Sequence, residues 1–159
     1  MRTAFILISL SLIATLAGFG FRSDPVDKPL LALAGSHSAV NESRVELITD
    51  PARWDAVWKE HFGGKVQGTG GADMVPQADF SRIMVLAMFA GDSTNGSGWL
   101  VDEVLTRGDH TVIRYNHIRF QTASFDGRDS RVKTSSYGFA FLPRATLPII
   151  LEENTQNLI

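Results

Sequence analysis

The sequence predicts an α+β domain in which a mainly antiparallel β-sheet carries one amphipathic helix on a face. Three observations predict this class. One segment, residues 50–64, combines a helix cap, a helical apolar stripe and a glycine stop. Apolar runs of strand length recur on both sides of it. Short glycine-containing connections join the later runs, which is typical of hairpins. The predicted order of elements is therefore β-β-α-β-β-β-β.

The first 21 residues predict export from the cytosol. Arg2 precedes an uncharged, strongly apolar run from Thr3 to Phe21, and small residues lie near its end. A run of about 19 residues is also close to the length that crosses a bilayer core roughly 30 Å thick. A cleaved signal peptide and an uncleaved N-terminal membrane anchor both fit. Residues 22–29 are then a linker, and residues 30–159 form a single domain that works in the periplasm or outside the cell.

Composition excludes several classes of protein. The chain has no cysteine, which excludes a thiol enzyme, a lipoprotein anchored through cysteine and a cysteine-ligated zinc site. Its formal net charge is −2, and the lysines and arginines form no basic stripe, so we expect no nucleic-acid partner. Contact with a membrane is expected only through the N-terminal segment. The sequence does not indicate an oligomeric state.

Two strands and the helix come first in the domain. Strands are predicted at Leu30–Ala34 and Arg44–Thr49, the second from its alternating pattern. Asp50 can cap the helix, and Pro51 occupies its first position, where a missing N–H costs nothing. Large aromatic side chains then recur on one helical face and are expected to anchor the helix to the sheet. These anchors are Trp54, Trp58 and Phe62.

The second half of the chain predicts the rest of the sheet. Lys65–Gln77 is a glycine-rich connection, and the nearly unbroken apolar run Phe80–Ala90 predicts a central strand that is covered on both faces. The turn Arg107-Gly108-Asp109 predicts a hairpin between the next two strands. The remaining strands are predicted at Trp99–Thr106, His110–Phe120 and Tyr137–Pro143, with an edge piece at Pro148–Glu152.

The sequence contains no strong catalytic or metal-binding motif. Histidines 37, 61, 110 and 117 are far apart, and there is no HExxH pair and no G-x-S-x-G elbow. His117, flanked by Tyr115 and Arg119, is the histidine best suited to act as a base, although a solvated or hydrogen-bonded structural histidine fits the same pattern. We therefore predict no catalytic residue, no metal and no cofactor.

The segment Gly91–Trp99 (GDSTNGSGW) is the most informative one for function. It is longer and richer in glycine than a tight hairpin needs, and glycine carries an entropic cost on folding. One explanation is a backbone that presents itself to a protein partner, with an aromatic anchor beside it. The other is a wide hairpin loop whose tryptophan fills the core. The candidate partner-binding residues are Asp92, Asn95, Gly96, Ser97, Gly98 and Trp99.

Four blocks of sequence together resemble the PrcB C-terminal-like domain family. They are residues 49–58 (TDPARWDAVW), 79–91 (DFSRIMVLAMFAG), 95–99 (NGSGW) and 134–144 (TSSYGFAFLPR). The family typically shows an E-W-x-x-L-W helix, a V-D-F-S strand entry, a T-G-G-Y loop and a T-S-P-Y strand. Two departures concern the loop, which differs in spacing here, and Ser136, which replaces the proline. The resemblance covers roughly residues 30–145.

The resemblance implies an exported accessory protein rather than an enzyme. The family takes its name from a subunit that is similar to a stabilising partner of a subtilisin-like surface protease. The favoured hypothesis is therefore a non-enzymatic binding module, associated with a protease as an accessory or inhibitor-like domain, that docks through Gly91–Trp99. The alternatives are a membrane-tethered envelope domain with a structural role and a hydrolase that uses His117 or His61 with a nearby carboxylate.

Overall fold

The computed structural model describes residues 28–64, 75–121 and 131–155. The predicted leader, most of the predicted linker and most of the glycine-rich connection lie outside these ranges. Within them, the one helix is too short and too polar to cross a bilayer.

The described residues form nine strands and one helix. Strands β1 and β2 come first along the chain, the helix α1 follows, and seven strands complete the order. Their bounds are β1 Leu31–Gly35, β2 Ser43–Ile48, α1 Pro51–His61, β3 Ile83–Ala90, β4 Ser93–Thr94, β5 Gly96–Arg107, β6 His110–Arg119, β7 Lys133–Thr134, β8 Tyr137–Pro143 and β9 Ile149–Glu153.

The strands are arranged in two main sheets and one short pair. One sheet has four strands in the order β1-β8-β3-β2, and the other has three in the order β5-β6-β9. The two-residue strands β4 and β7 pair with each other. All pairs are antiparallel except β6 and β9, which run parallel. The predicted fold class, mainly antiparallel sheet with one helix, is confirmed.

Local sequence explains the helix and its position. The Asp50 side chain accepts a hydrogen bond from the backbone N–H of Arg53 at 2.9 Å, and Pro51 opens the first turn. Trp54 and Trp58 are buried, and Phe62 at the C-cap is half-buried against the same cluster. The three predicted anchors therefore hold the helix on the four-stranded sheet, where Trp54 meets Phe139 edge-on at 5.1 Å between ring centroids.

The four-stranded sheet is the middle layer of three. Val85, Ala87 and Phe89 of β3 face the helix, whereas Met84, Leu86 and Met88 face the three-stranded sheet. Strand β8 is buried on both faces in the same way. A strand covered on both sides needs apolar residues at every position, which is why the run in β3 is continuous.

Two predicted strand starts need correction by three residues each, and one short pair of strands is missing from the prediction. Strand β3 starts at Ile83 rather than Phe80, because Asp79 accepts hydrogen bonds from the N–H groups of Ser81, Arg82 and Ile83 and so forms a turn. Strand β5 starts at Gly96 rather than Trp99. The short pair β4–β7 was not predicted, because two residues carry no periodicity.

Candidate binding surface

The segment Gly91–Trp99 is an ordered crossing between the two sheets rather than one open loop. It leaves β3 at Gly91, forms β4 opposite β7 and enters β5 at Gly96. Strand β5 then runs along β6, with irregular register between Gly96 and Gly98. Part of the segment therefore lies inside the fold, and part of it faces outward.

Gly96 and Gly98 are required by close packing within the chain. A Cβ on Gly96 would collide with the Ser136 hydroxyl and lie 2.8 Å from Nε2 of His117. A Cβ on Gly98 would lie 2.9 Å from the Cβ of Ala34 on β1. Both α-carbons are buried. These two glycines thus allow β5 to approach the four-stranded sheet, so their presence is explained without a partner.

Trp99 is part of the core. Its side chain is 6% exposed and packs in the cluster between the two sheets, beside Met88 and Tyr115. Its ring also stacks on His117, with 4.4 Å between centroids and 8° between planes. The expectation that Trp99 serves as an aromatic anchor for a partner is therefore corrected, because nearly all of its surface is already buried in the core.

Asn95 fixes the outward part of the segment. It is the single non-glycine residue among the described ones with a positive φ, 58°, a conformation that asparagine tolerates better than most side chains. Its N–H donates to the Val132 carbonyl and its side-chain oxygen accepts from the Val132 N–H, both at 2.9 Å. Its carbonyl accepts from the Phe120 N–H at 2.9 Å. Asn95 thus joins three separate parts of the chain.

The residues around Asn95 form an exposed patch that we call the candidate binding surface. It combines polar side chains of the predicted segment with two exposed apolar ones, and Asn95 itself is half-buried at its centre. Phe120 is 37% exposed and Val132 is 44% exposed. A depression of about 480 Å³ lies alongside, lined by β4 and β7 with one charge of each sign, Asp92 and Lys133. The surface consists of Asp92, Thr94, Asn95, Ser97, Phe120 and Val132.

Phe120 and Val132 were not predicted as site residues. The sequence predicts Phe120 as the last residue of a strand, and Val132 stands alone in a polar stretch. An apolar residue between polar or charged neighbours is the available signal, but such residues are common on protein surfaces and do not identify a site by themselves.

His117 lies beneath this surface in a hydrogen-bonded chain with a serine and an arginine. Its Nε2 is 2.6 Å from the Ser136 hydroxyl, and its Nδ1 accepts from Nε of Arg119 at 3.2 Å. Arginine can only donate, so Nδ1 carries the lone pair and Nε2 carries the proton of the neutral ring. Burial, together with the positive charge of Arg119, lowers the pKa of His117 from 6.5 to about 4 and keeps the ring neutral.

This tautomer is the opposite of the one that activates a serine nucleophile. A general base must offer a lone pair to the hydroxyl, and a carboxylate on the far nitrogen normally orients it. Here Nε2 donates to Ser136, and a cation occupies the place of the carboxylate. Ser136 is also fully buried. The arrangement can hold the two sheets together, but it does not prepare an attack on a substrate.

The other histidines are not gathered around His117. His61 is 5% exposed at the end of α1, where its Nδ1 is 3.0 Å from the Ser38 hydroxyl and burial lowers its pKa to about 4. His37 and His110 each contact only a neighbouring residue, Ser36 and Asp109, in the hydrogen bonds described. Residues 28–64, 75–121 and 131–155 contain no cluster of three or more potential metal ligands.

Comparisons with known proteins add no relative. No family model, no curated protein and no solved structure matches this chain.

Proposed function

We propose that the protein is an exported, non-enzymatic protein-binding module that docks through the candidate binding surface. The observation that carries the proposal is the triple hydrogen bonding of Asn95, which fixes an exposed mixed polar and apolar patch in one conformation. A partner that meets such a preformed surface loses less conformational entropy on binding than one that must order a loop.

The composition of the patch fits a protein partner. Phe120 and Val132 supply apolar area that association can remove from water, and Asp92, Thr94 and Ser97 supply polar contacts at its border. The resemblance to the PrcB C-terminal-like domain family suggests an extracellular protease as the partner. In that case the module is an accessory or inhibitor-like domain of the protease.

A hydrolase is the less favoured alternative. The tautomer of His117 and the burial of Ser136 argue against this serine–histidine pair as a nucleophile and its base. His61 is enclosed by aromatic rings, including Tyr137 at 4.1 Å between centroids. The proposal therefore assigns structural roles to both histidines.

The proposal is tested by comparing two exposed substitutions. Phe120→Asp changes the candidate binding surface, and Thr106→Asp changes an exposed residue near the distant β5–β6 turn and serves as the matched control. Each variant is expressed in the native host, cross-linked outside the cytosol and analysed by mass spectrometry. We expect a specific partner that is captured by the wild type and by Thr106→Asp and lost with Phe120→Asp, while circular dichroism stays unchanged.

The same experiment separates the alternatives. Equal capture by all three proteins would reject this surface as the binding site. A chain that keeps its leader in the membrane fraction and cross-links to no specific protein would instead support a tethered envelope domain with a structural role. The intact mass of the exported chain distinguishes a cleaved signal peptide from a retained anchor.

A further inference from the structure

Strand β1 is the least protected sheet edge among the described residues. Edge strands usually carry charges, bulges or prolines that prevent pairing with another chain. Strand β2 carries Arg44 and Glu46, which form ion pairs with residues of α1. Strand β5 is bulged and carries Asp102 and Glu103, and β9 ends in Glu152 and Glu153. Strand β1 has none of these features.

The side chains of β1 are apolar and accessible. Its sequence is Leu-Ala-Leu-Ala-Gly, without a charge or a proline. Leu31 is 47% exposed, and Leu30 just before it is 65% exposed. No strand of the described residues other than β8 pairs with β1. An exposed, apolar edge of this kind is a template for strand addition.

The free backbone groups of β1 belong to Ala32 and Ala34. The Ala90 N–H donates to the Ser136 carbonyl, so the even-numbered residues of β8 point their backbone groups toward β3. The odd-numbered residues of β8 therefore bond to their partners Leu31, Leu33 and Gly35 on β1. The residues between them, Ala32 and Ala34, direct N–H and C=O away from the sheet.

We propose that this edge binds the β1 strand of a second copy of the chain, in antiparallel orientation about a two-fold axis. The register follows from the free groups: Ala32 pairs with Ala34 of the other copy, and Ala34 with its Ala32, which makes four hydrogen bonds. Leu33 then lies opposite its own counterpart on the axis. Leu31 lies opposite Gly35 of the other copy, and the two four-stranded sheets become one sheet of eight strands.

Self-complementarity favours a second copy over a foreign strand. A two-fold axis brings each central residue against itself, so a charge near the centre would repel its copy. Here the central residue is Leu33, and the nearest charged residue, Lys28, lies five positions away along the strand. The free groups of Ala32 and Ala34 are also spaced so that one strand satisfies the other. Strand β1 contributes no residue to the candidate binding surface, so the inference stands whether or not the proposed function does.

Single cysteines test both the association and its register, because the natural chain has no cysteine. A non-hydrogen-bonded antiparallel pair places its two Cα atoms about 4.5 Å apart, within the range of a disulfide. Leu33→Cys should therefore give a disulfide-linked dimer under mild oxidation with copper–phenanthroline. Leu31→Cys is the matched control, since its copies are separated by four residues, about 13 Å, along the strand. It should remain uncross-linked.

A charge at Ala32 tests the interface without relying on oxidation. Ala32→Lys and Ala32→Glu should each weaken dimerisation, measured by sedimentation equilibrium of the chain as the host processes it, by about tenfold or more. An equimolar mixture of the two variants should restore the dimer, which a loss of folding could not do. A wild type that stays monomeric while Leu33→Cys fails to cross-link would overturn the proposal. Equal cross-linking of Leu33→Cys and Leu31→Cys would overturn the register. Pairing of β1 with a foreign strand, and not with a second copy, would overturn the proposal itself.

Discussion

The indole of Trp99 lies flat on the imidazole of His117, with 8° between the ring planes and 4.4 Å between the centroids. The two residues are cross-strand partners on β5 and β6, so the register of this hairpin creates the stack. The Ser136 hydroxyl is hydrogen-bonded to Nε2 of His117 and so connects the ring to the segment that leads into β8. One neutral histidine therefore ties the three-stranded sheet to the four-stranded one.

The tautomer of His117 is the first prediction. Arg119 donates to Nδ1, so the proton of the neutral ring must reside on Nε2, next to Ser136. Long-range ¹H–¹⁵N correlation spectra at neutral pH should show an unprotonated Nδ1 and a protonated Nε2. Arg119→Ala should relax this preference, whereas the same change at the exposed Arg107 should not. A proton found on Nδ1 in the wild type would reopen the role of His117 as a base toward Ser136.

The second prediction concerns the dependence of stability on pH. The pKa of His117 is lowered to about 4 in the fold, against about 6.5 in the unfolded chain, and His61 behaves in the same way. Between these values the unfolded state binds more protons, so the stabilisation is complete above pH 6.5 and is lost as the pH falls toward 4. Each histidine contributes at most about 1.4 kcal/mol per pH unit to the slope of the unfolding free energy.

Urea unfolding at several pH values between 7 and 4 measures this slope. His117→Gln removes the titrating group and keeps an amide that can donate and accept, so the slope should become shallower. His37→Ala, at an exposed position, is the control for loss of an imidazole. An unchanged slope in His117→Gln would mean that the ring is not held neutral in the folded protein.

Local signals in the sequence predicted the parts of the fold that depend on local physics. The cap at Asp50, the proline at Pro51 and the helical spacing of Trp54 and Trp58 each act within one helix, and the structure confirms all of them. The continuous apolar run of β3 predicted a strand covered on both faces, because full burial leaves no position for a polar residue.

The candidate site depends on contacts that are distant in sequence. Asn95 bonds to Val132, which is 37 positions away, and no pattern near either residue indicates that pairing. The glycine content of Gly91–Trp99 correctly suggested that this backbone has a special task. It could not show whether the close neighbour is inside the chain or outside it. For Gly96 and Gly98 the neighbours are Ser136, His117 and Ala34 of the same chain.

The third prediction tests this packing role. Gly96→Ala places a methyl group where the Ser136 hydroxyl and the His117 ring already lie, so the chain must shift or break the hydrogen bond between them. We expect a loss of about 1–3 kcal/mol in the free energy of unfolding, the usual cost of overpacking. The neighbouring exposed residue provides the control, since Ser97→Ala removes only an exposed hydrogen bond to the Ile118 carbonyl and should cost less, about 0.5–1 kcal/mol. A fully stable Gly96→Ala protein would show that β5 does not approach β8 so closely.

The fourth prediction compares the two tryptophans of the helix. Both are buried and both touch Phe139, but only the Trp54 indole N–H has a described acceptor, the Pro76 carbonyl at 2.9 Å. The Trp58 N–H is buried without a partner among the described residues. Trp54→Phe therefore loses a hydrogen bond in addition to ring volume, whereas Trp58→Phe removes an unsatisfied donor along with its volume. Because a typical hydrogen bond contributes about 1 kcal/mol net, Trp54→Phe should be the more destabilising by roughly that amount. Thermal and urea unfolding of the two variants measure the difference. The reverse order would mean that the lost ring volume, rather than the lost hydrogen bond to Pro76, determines how strongly each variant is destabilised.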